Sequence, residues 1–351
     1  MPNLKKTATL ALAAGALVSV ASDRADAQEP SVFGETYDYA APTFIDLTIP
    51  DLRGSIIRFD ALGADGGDAE VGRNNSCFNS GGEGAWARID CVIGDGEFEL
   101  TPGDFVRFVV GEAGQDNINR GPNRGAAAGG GGGTGVLYFE AGSNTRNILA
   151  VGGGGGGAYT GIALGICTNL DQNGRAASTG ECGVGGTSRG GDPATGGCNG
   201  GSGVGVTGIS GGGGGVFGLA PGIGGEPGLN TGGAGGTGGI RRGGFGYGGG
   251  GGSVRGAGGG GGYSGGGGGR TTRAGGGGGS YVHPDFAQSD APITSGTPTT
   301  NGRIAYAFTG QVHDERADKL DIGDRTVIRG TAAGATESVV GGCPSTGELD
   351  V

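Results

Sequence analysis

The sequence predicts an all-β protein, an antiparallel sandwich with little α-helix and with an ordered glycine-rich region inserted in it. Three observations support this fold class. Short runs that alternate apolar and polar residues recur about every ten residues in the N-terminal third, separated by Gly and Pro. Glycine makes up 95 of the 351 residues, much of it in uninterrupted runs. No segment shows the sustained 3.6-residue apolar period of an amphipathic helix.

The alternating runs place the sandwich on both sides of the glycine in the sequence. Segment 28–120 holds the first strands, with clear examples at 55–62 and 85–92. Segment 283–310 contains a closing strand that is apolar enough to pair back onto them. The glycine-rich region 121–282 is therefore predicted to be an insertion within one domain.

The glycine runs have matched lengths of five or six residues. They include 152–157, 211–215, 248–252, 258–262, 265–269 and 275–279. Polyglycine adopts a left-handed helix with three residues per turn and about 3.1 Å rise, so each run spans about 15–19 Å, close to the length of an average strand. Its N–H and C=O groups point sideways, where neighbouring rods satisfy them. The alternative is a flexible linker. Aromatic punctuation and a position between strands favour ordered rods.

The N-terminus has the pattern of a secretory signal. Lys5 and Lys6 precede an apolar stretch at 10–21, and Ala25-Asp26-Ala27 supplies the small residues of a cleavage site. We expect a signal peptide at 1–27, cleaved between Ala27 and Gln28; the alternatives are a buried helix or a short anchor. No later stretch approaches the ~18 apolar residues of a membrane span. A secreted or cell-surface location follows.

Six cysteines lie after the predicted cleavage site, and an even number in an oxidising compartment predicts disulfides. They are Cys77, Cys91, Cys167, Cys182, Cys198 and Cys343. Sequence proximity favours Cys77–Cys91, and Cys167 with Cys182 or Cys198. We expect the acidic tail 311–351 to be partly disordered, with Cys343 as a candidate tether.

No arrangement of residues predicts an enzyme, a metal site or a cofactor. The chain has no G-K-[ST] phosphate loop and no nucleophile elbow with a matching histidine and acid. The repeated G-x-G-x-x-G pattern is expected by chance at this glycine content. Asp60, Asp65, Asp68 and Glu70 share a glycine-rich loop, which is interpreted as a solvated acidic loop rather than a Ca²⁺ site. We expect no catalytic or metal-binding residues.

The negative net charge of the chain limits the classes of binding partner. A net charge of −11 disfavours nucleic acid, although Arg189-Gly190-Gly191 and the segment 241–245 resemble RNA-binding RGG sequences. The aromatic residues that flank the glycine runs form a candidate binding face: Phe245, Tyr247, Tyr263 and Tyr281. The expected partner is a protein or a glycan, or a second copy in self-association, with no nucleic acid and no transmembrane span.

Five ordered segments together resemble a known family. They are 131–137, 148–154, 243–250, 260–266 and 278–282. Their order is similar to that in the glycine-rich extracellular domain of anaplastic lymphoma kinase and leukocyte tyrosine kinase, over about residues 36–309. The resemblance implies a TNF-like, jelly-roll sandwich with an inserted bundle of polyglycine II helices and an extracellular binding role. Kinase activity does not carry over, because no lysine lies between residues 7 and 318 and no H-R-D or D-F-G triplet occurs.

These observations define three hypotheses of function. The first is an exported, non-enzymatic surface or matrix protein that acts as a rigid structural or adhesive scaffold. The alternative is a soluble ligand-binding module, similar in role to the receptor ectodomain. A lesser alternative is an ice- or carbohydrate-binding protein.

Overall fold

The computed structural model describes most of the chain between residues 34 and 311. The described ranges are 34–41, 44–72, 77–119, 125–142, 146–163, 166–167, 172–187, 195–218, 225, 233–236, 241–253, 255–288, 292–295 and 301–311. The expected signal peptide with its cleavage site at Ala27 and Gln28, Cys343, and the tail after residue 311 lie outside the described residues.

Two five-stranded antiparallel sheets form a sandwich. In order across the first sheet, the strands are β1 (Gly34–Asp38), β16 (Arg303–Gln311), β3 (Ser55–Leu62), β6 (Ala85–Val92) and β15 (Ile293–Ser295). In order across the second, they are β14 (Tyr281–Val282), β11 (Arg146–Gly152), β10 (Thr134–Phe139), β7 (Phe105–Val109) and β2 (Phe44–Thr48). The described residues contain no α-helix, so the predicted all-β, antiparallel fold class is confirmed.

Alternation in β3 and β6 explains why these segments form strands. Every second side chain, Ile57 and Phe59 among them, points into the core between the sheets, as expected for a half-buried strand. The outward positions carry charges that pair across the two strands: Arg58 Nε donates to Asp90 at 2.8 Å and Arg88 Nε to Asp60 at 2.7 Å. The same pairing register therefore fills the core and neutralises the outer face.

Two small three-stranded sheets lie beyond the sandwich. One has the order β13 (Ile166–Cys167), β12 (Tyr159–Ala163), β9 (Gly125–Ala127). The other has the order β5 (Cys77–Asn79), β4 (Ala69–Val71), β8 (Asn117–Asn119). Five sandwich strands (β3, β6, β7, β10 and β11) are each joined to a small-sheet strand by a segment of five to seven residues. The small sheets therefore lie at the far end of these connecting segments.

The connecting segments and the later glycine runs form one body, which we call the glycine slab. It consists of residues 63–68, 80–84, 110–116, 128–133, 153–158, 172–187, 195–205, 211–216, 243–252 and 257–280. Three of these segments belong to the predicted strand region 28–120, so the slab begins well before residue 121. They were missed because alanine, serine and acidic residues interrupt their glycines.

Backbone hydrogen bonds in the slab repeat every three residues. In the rod 153–158 and the residue after it, amides three positions apart donate to the same neighbour: Gly154 and Gly157 to 258–261, Gly155 and Ala158 to 64–67, Gly156 and Tyr159 to 172–175. The N···O distances are 2.7 to 3.0 Å. A three-residue period with sideways bonds is the geometry of a polyglycine II rod. Hydrogen bonds between segments therefore order the glycine, as predicted.

The rod 258–262 shows that the packing is hexagonal. It donates to three neighbouring segments, at 128–131, at 211–214 and at Gly276, and accepts from three others, through the amides of Gly154, Gly250 and Gly266. Rods pack both parallel and antiparallel, because no side chain distinguishes the two directions. This arrangement satisfies buried peptide groups without a β-ladder.

Close approach of backbones explains why these positions are glycine. A Cβ added at Gly155 would lie 1.8 Å from the carbonyl oxygen of Gly82, and one at Gly260 would lie 2.0 Å from that of Gly154. Neither oxygen belongs to a flexible side chain, so no local rotation relieves the clash. The slab is therefore a core built of backbone, inaccessible to any residue with a side chain at these points.

Candidate functional site

The structure divides the four aromatic residues of the predicted binding face into two pairs. Phe245 and Tyr247 are buried, at 8% and 0% exposure, and pack with Leu137 and Val216 against the outer side of the second sheet. Tyr263 and Tyr281 are half-buried. An accessible face at this end of the slab is therefore formed by Tyr263 and Tyr281, whereas Phe245 and Tyr247 fasten the slab to the sandwich.

The local sequence explains the burial of Tyr247. Gly246, Tyr247 and Gly248 all have left-handed backbones, with φ of 94°, 46° and 58°. Glycine tolerates this region freely and tyrosine does not, so tertiary packing holds Tyr247 there. Its hydroxyl lies against β10 at Gly135, where an added Cβ would be 2.3 Å from Tyr247 Oη. The sequence shows an aromatic between glycines but not the turn that buries it.

Tyr263 and Tyr281 stack on each other, with ring centroids 4.3 Å apart and planes 12° apart. Burial, and then the neighbouring Tyr263 and the carboxylates of Glu181 and Asp285, raise the pKa of Tyr281 to about 12. The phenol of Tyr281 is therefore protonated at physiological pH and acts as a neutral hydrogen-bond donor. The row continues through His283, whose ring lies edge-on to Tyr281 at 6.1 Å and to Phe286 at 5.0 Å.

An open groove of about 600 Å³ lies beside this stacked pair. It lies between the end of the glycine slab and strands β14 and β15, which are edge strands of the two sheets. Its lining includes Glu181, Ser280, Tyr281, Pro284, Gln288 and Ile293. An aromatic ring next to a carboxylate, a hydroxyl and an amide suits a polar, hydroxyl-rich or peptide-like partner. We call this feature the Tyr281 groove.

His283 has a structural place at the end of β14. Burial lowers its pKa, and the nearby Asp285 carboxylate opposes that shift. The Asp285 amide donates to His283 Nδ1 at 3.3 Å, which closes a turn. His283 is therefore neutral at pH 7 and lies edge-on to two aromatic rings. His313 lies outside the described residues.

The structure corrects the predicted disulfide pairing. Cys77 pairs with Cys167, joining β5 to β13, and Cys182 pairs with Cys198. Cys91 is a buried free thiol on the inward side of β6, and burial raises its pKa. Cys77–Cys91 was wrong because the slab segment 80–84 carries Cys77 away from the sandwich. The pairing of Cys167 with Cys182 or Cys198 was also wrong, because Cys167 bonds to Cys77 and leaves Cys182 and Cys198 to each other.

The acidic loop 60–70 makes internal bonds. Asp65 Oδ1 accepts the Gly84 amide at 3.0 Å, and Asp68 Oδ1 accepts the Gly81 amide at 2.8 Å. Asp60 pairs with Arg88. These carboxylates thus bind slab amides and a neighbouring arginine. Within the described ranges no group of three or more His, Cys, Asp or Glu residues is arranged to hold a metal ion.

The RGG-like segment 241–245 is also built into the structure. Arg242 forms an ion pair with Glu112 at 2.9 Å, and both residues line a second cavity of about 400 Å³. Gly243 and Gly244 lie in the slab, where their amides donate to the Gly236 and Gly130 carbonyls. The other RGG-like segment, 189–191, lies outside the described residues.

Comparison with known proteins leaves the family open. No protein-family model matches the chain, and no curated protein matches it. In the part of the chain that the structure describes, no helix has the length and apolar character to cross a membrane.

Sequence reasoning missed most of the Tyr281 groove. Glu181 and Tyr281 are separated by one hundred residues, and only the folded slab brings them to one surface. No spacing motif connects them. The one useful signal was the aromatic residue after the last glycine run.

Proposed function

We propose that this protein is an exported, non-enzymatic scaffold of the cell surface or extracellular matrix, in which the sandwich carries a rigid glycine slab that binds a protein, a glycan or a second copy. The observation that carries the proposal is the hexagonal packing of the rods, because rods such as 258–262 are each held by six neighbours. Bending one rod would break hydrogen bonds to several others. Such a body keeps its surface groups in fixed positions.

Attachment of the slab supports a mechanical role. Phe245, Tyr247 and Val216 bury the slab end against the second sheet, and five sandwich strands run directly into slab segments. Load applied to the slab would pass into the sheets along the backbone. Two disulfides, Cys77–Cys167 and Cys182–Cys198, hold the periphery and suit an oxidising compartment.

The non-enzymatic role is inferred from the chemistry of the groove. Tyr281 is protonated across the physiological range, and His283 is held by edge-on ring contacts and by the Asp285 amide, which occupies its Nδ1. The groove offers hydrogen bonding and stacking, which are means of binding.

Light scattering against concentration tests the scaffold role. The wild-type protein is expected to form concentration-dependent oligomers without an added partner, and Gly155→Ala is expected to reduce them. Gly180→Ala is the control, since the atom nearest its added Cβ is Ser178 Oγ at 3.6 Å. A monomer at every concentration would count against self-assembly as the scaffold's mode of action.

A second candidate, a soluble ligand-binding module, is favoured by the Tyr281 groove. For such a module we expect a monomer that binds a specific partner reversibly, and we expect Tyr281→Ala to weaken the complex. Phe217→Ala is the control, since Phe217 is an exposed aromatic that does not line the groove. Equal binding by the two variants would exclude the groove as the site.

A further inference from the structure

The arginines of the sandwich and those at the far end of the slab have different partners. Five arginines of the sandwich pair with aspartate. They are Arg53 with Asp51 and Asp95, Arg58 with Asp90, Arg88 with Asp60, Arg107 with Asp46, and Arg303 with Asp38. Among the described residues, Arg255, Arg270 and Arg273 form no ion pair with a carboxylate. Within the described ranges, three guanidinium groups on neighbouring turns therefore have no carboxylate partner.

These three arginines lie on two turns that are bonded to each other. The turns join rods at the end of the slab away from Tyr263 and Tyr281: one enters the rod 257–263, and the other joins 264–269 to 274–280. The Thr272 amide donates to the Arg255 carbonyl, and the Ala257 amide donates to the Arg273 carbonyl at 3.0 Å. Arg255 and Arg270 are exposed. The hydrogen bonds between the two turns therefore fix the backbone positions from which these side chains extend.

The side chain of Arg273 has an unsatisfied hydrogen-bond donor. Its Nε is buried and has no hydrogen-bond partner in the described structure. A guanidinium N–H removed from water without an acceptor costs free energy, and the half-buried side chain would have to turn outward for an oxyanion at the surface to supply that acceptor. Exposed Thr271 and half-buried Thr272 lie between Arg270 and Arg273 in the sequence and add two hydroxyl groups to the same turn.

We propose that this surface, formed by Arg255, Arg270, Thr271, Thr272 and Arg273, binds an anionic polysaccharide through its carboxylate or sulfate groups. Guanidinium groups match such oxyanions with paired hydrogen bonds, and the threonine hydroxyls suit sugar hydroxyls. The inference deepens the proposed function, on which it rests, by naming the class of surface polymer that the scaffold holds.

The composition of the turns favours a polysaccharide over single-stranded nucleic acid. Proteins that bind single strands combine positive charge with exposed aromatic rings on which bases stack. The described residues of the turns, 253, 255–256 and 270–273, are serine, arginine, glycine and threonine. The overall charge of −11 repels any long polyanion, so the favourable contact is confined to this surface.

Binding of the full chain to immobilised alginate, dextran sulfate and uncharged dextran tests the proposal, with a single-stranded DNA oligonucleotide as the fourth probe. We expect alginate or dextran sulfate to bind, more weakly as salt increases, and uncharged dextran not to bind. Alginate reports a preference for carboxylate, and dextran sulfate a preference for sulfate.

Two variants with the same charge change locate the site. Arg255→Gln/Arg270→Gln should weaken binding about tenfold, whereas Arg53→Gln/Arg303→Gln should change it by less than about twofold. Thermal melting checks that both variants are folded. Equal losses in the two variants, no binding to either anionic polymer at low salt, or tighter arginine-dependent binding of DNA would overturn the proposal. Retained glycine-amide protection in those cases would leave the scaffold itself intact.

Discussion

The sandwich and the glycine slab are two cores built on opposite principles. The sandwich buries large side chains, with Phe59 and Phe108 in edge-on contact at 5.9 Å between the sheets. The slab buries peptide groups and has almost no side chains to pack. Burial of apolar area stabilises the first, whereas the second depends on satisfying every N–H and C=O that it removes from water. The comparison shows that one chain can stabilise its interior with either kind of contact.

The two cores also differ in period, although the same segments run through both. In β3, side chains alternate with a period of two. After Leu62 the chain enters the slab, where the amides of Ala64 and Gly67 donate to the neighbouring segment 129–132 with a period of three. Glycine makes the change possible, because only a residue without Cβ fits between rods this close.

The sandwich should respond most strongly to loss of side-chain atoms. Phe108→Ala is expected to destabilise the protein by about 3–5 kcal/mol, because it leaves a cavity among Phe59, Tyr37 and Tyr306. Urea denaturation measures the change. Leu52→Ala is the control at an exposed position and should cost far less. Equal effects would show that the sheets do not enclose a packed core.

The slab should respond to the opposite change, the gain of one atom. Gly155→Ala is expected to cost about 1–3 kcal/mol, since the new Cβ would meet the Gly82 carbonyl oxygen at 1.8 Å. Gly180→Ala should be neutral or slightly stabilising, because alanine restricts the unfolded chain and meets no backbone there. Chemical denaturation of both variants checks this; tolerance of Gly155→Ala would remove the argument for close-packed rods.

Removal of one hydroxyl sharpens the comparison at the junction of the two cores. Tyr247→Phe should leave stability unchanged or raise it by up to about 1 kcal/mol, because the buried Tyr247 hydroxyl has no partner among the described residues. Tyr138→Phe should cost about 1 kcal/mol, because the Tyr138 hydroxyl donates to Asp104 and accepts from the Thr101 amide. Thermal unfolding of the two variants measures the contrast, and the reverse order would refute it.

The smallest expected effect is a pH dependence at the end of β14. Because burial lowers the pKa of His283, the unfolded chain binds a proton more readily than the folded chain. Stability should therefore fall as pH decreases through about 6.5, the ordinary histidine value. Melting temperatures between pH 7.5 and 5.5 measure the slope, which His283→Gln should reduce. An unchanged slope would mean that His283 does not titrate differently on folding.

Local sequence patterns predicted the elements they encode directly. Alternation located β3 and β6, and the pure glycine runs located rods such as 258–262. Rods 63–68 and 80–84 were missed because they include Asp, Ser and Glu, whose side chains bind slab amides or face outward. The partner of Cys77 depends on where a slab segment ends in space. The burial of Tyr247 depends on a left-handed turn. Such features arise from tertiary packing and have no local signal.

Hydrogen–deuterium exchange of backbone amides tests the central claim that hydrogen bonds between rods order the glycine slab. Amides in 154–157 and 258–262 are expected to exchange slowly, with protection comparable to that of β3 and β6 in the sandwich. Fast exchange of these glycine amides, at the rate of an unfolded chain, with protection retained in β3 and β6, would contradict it.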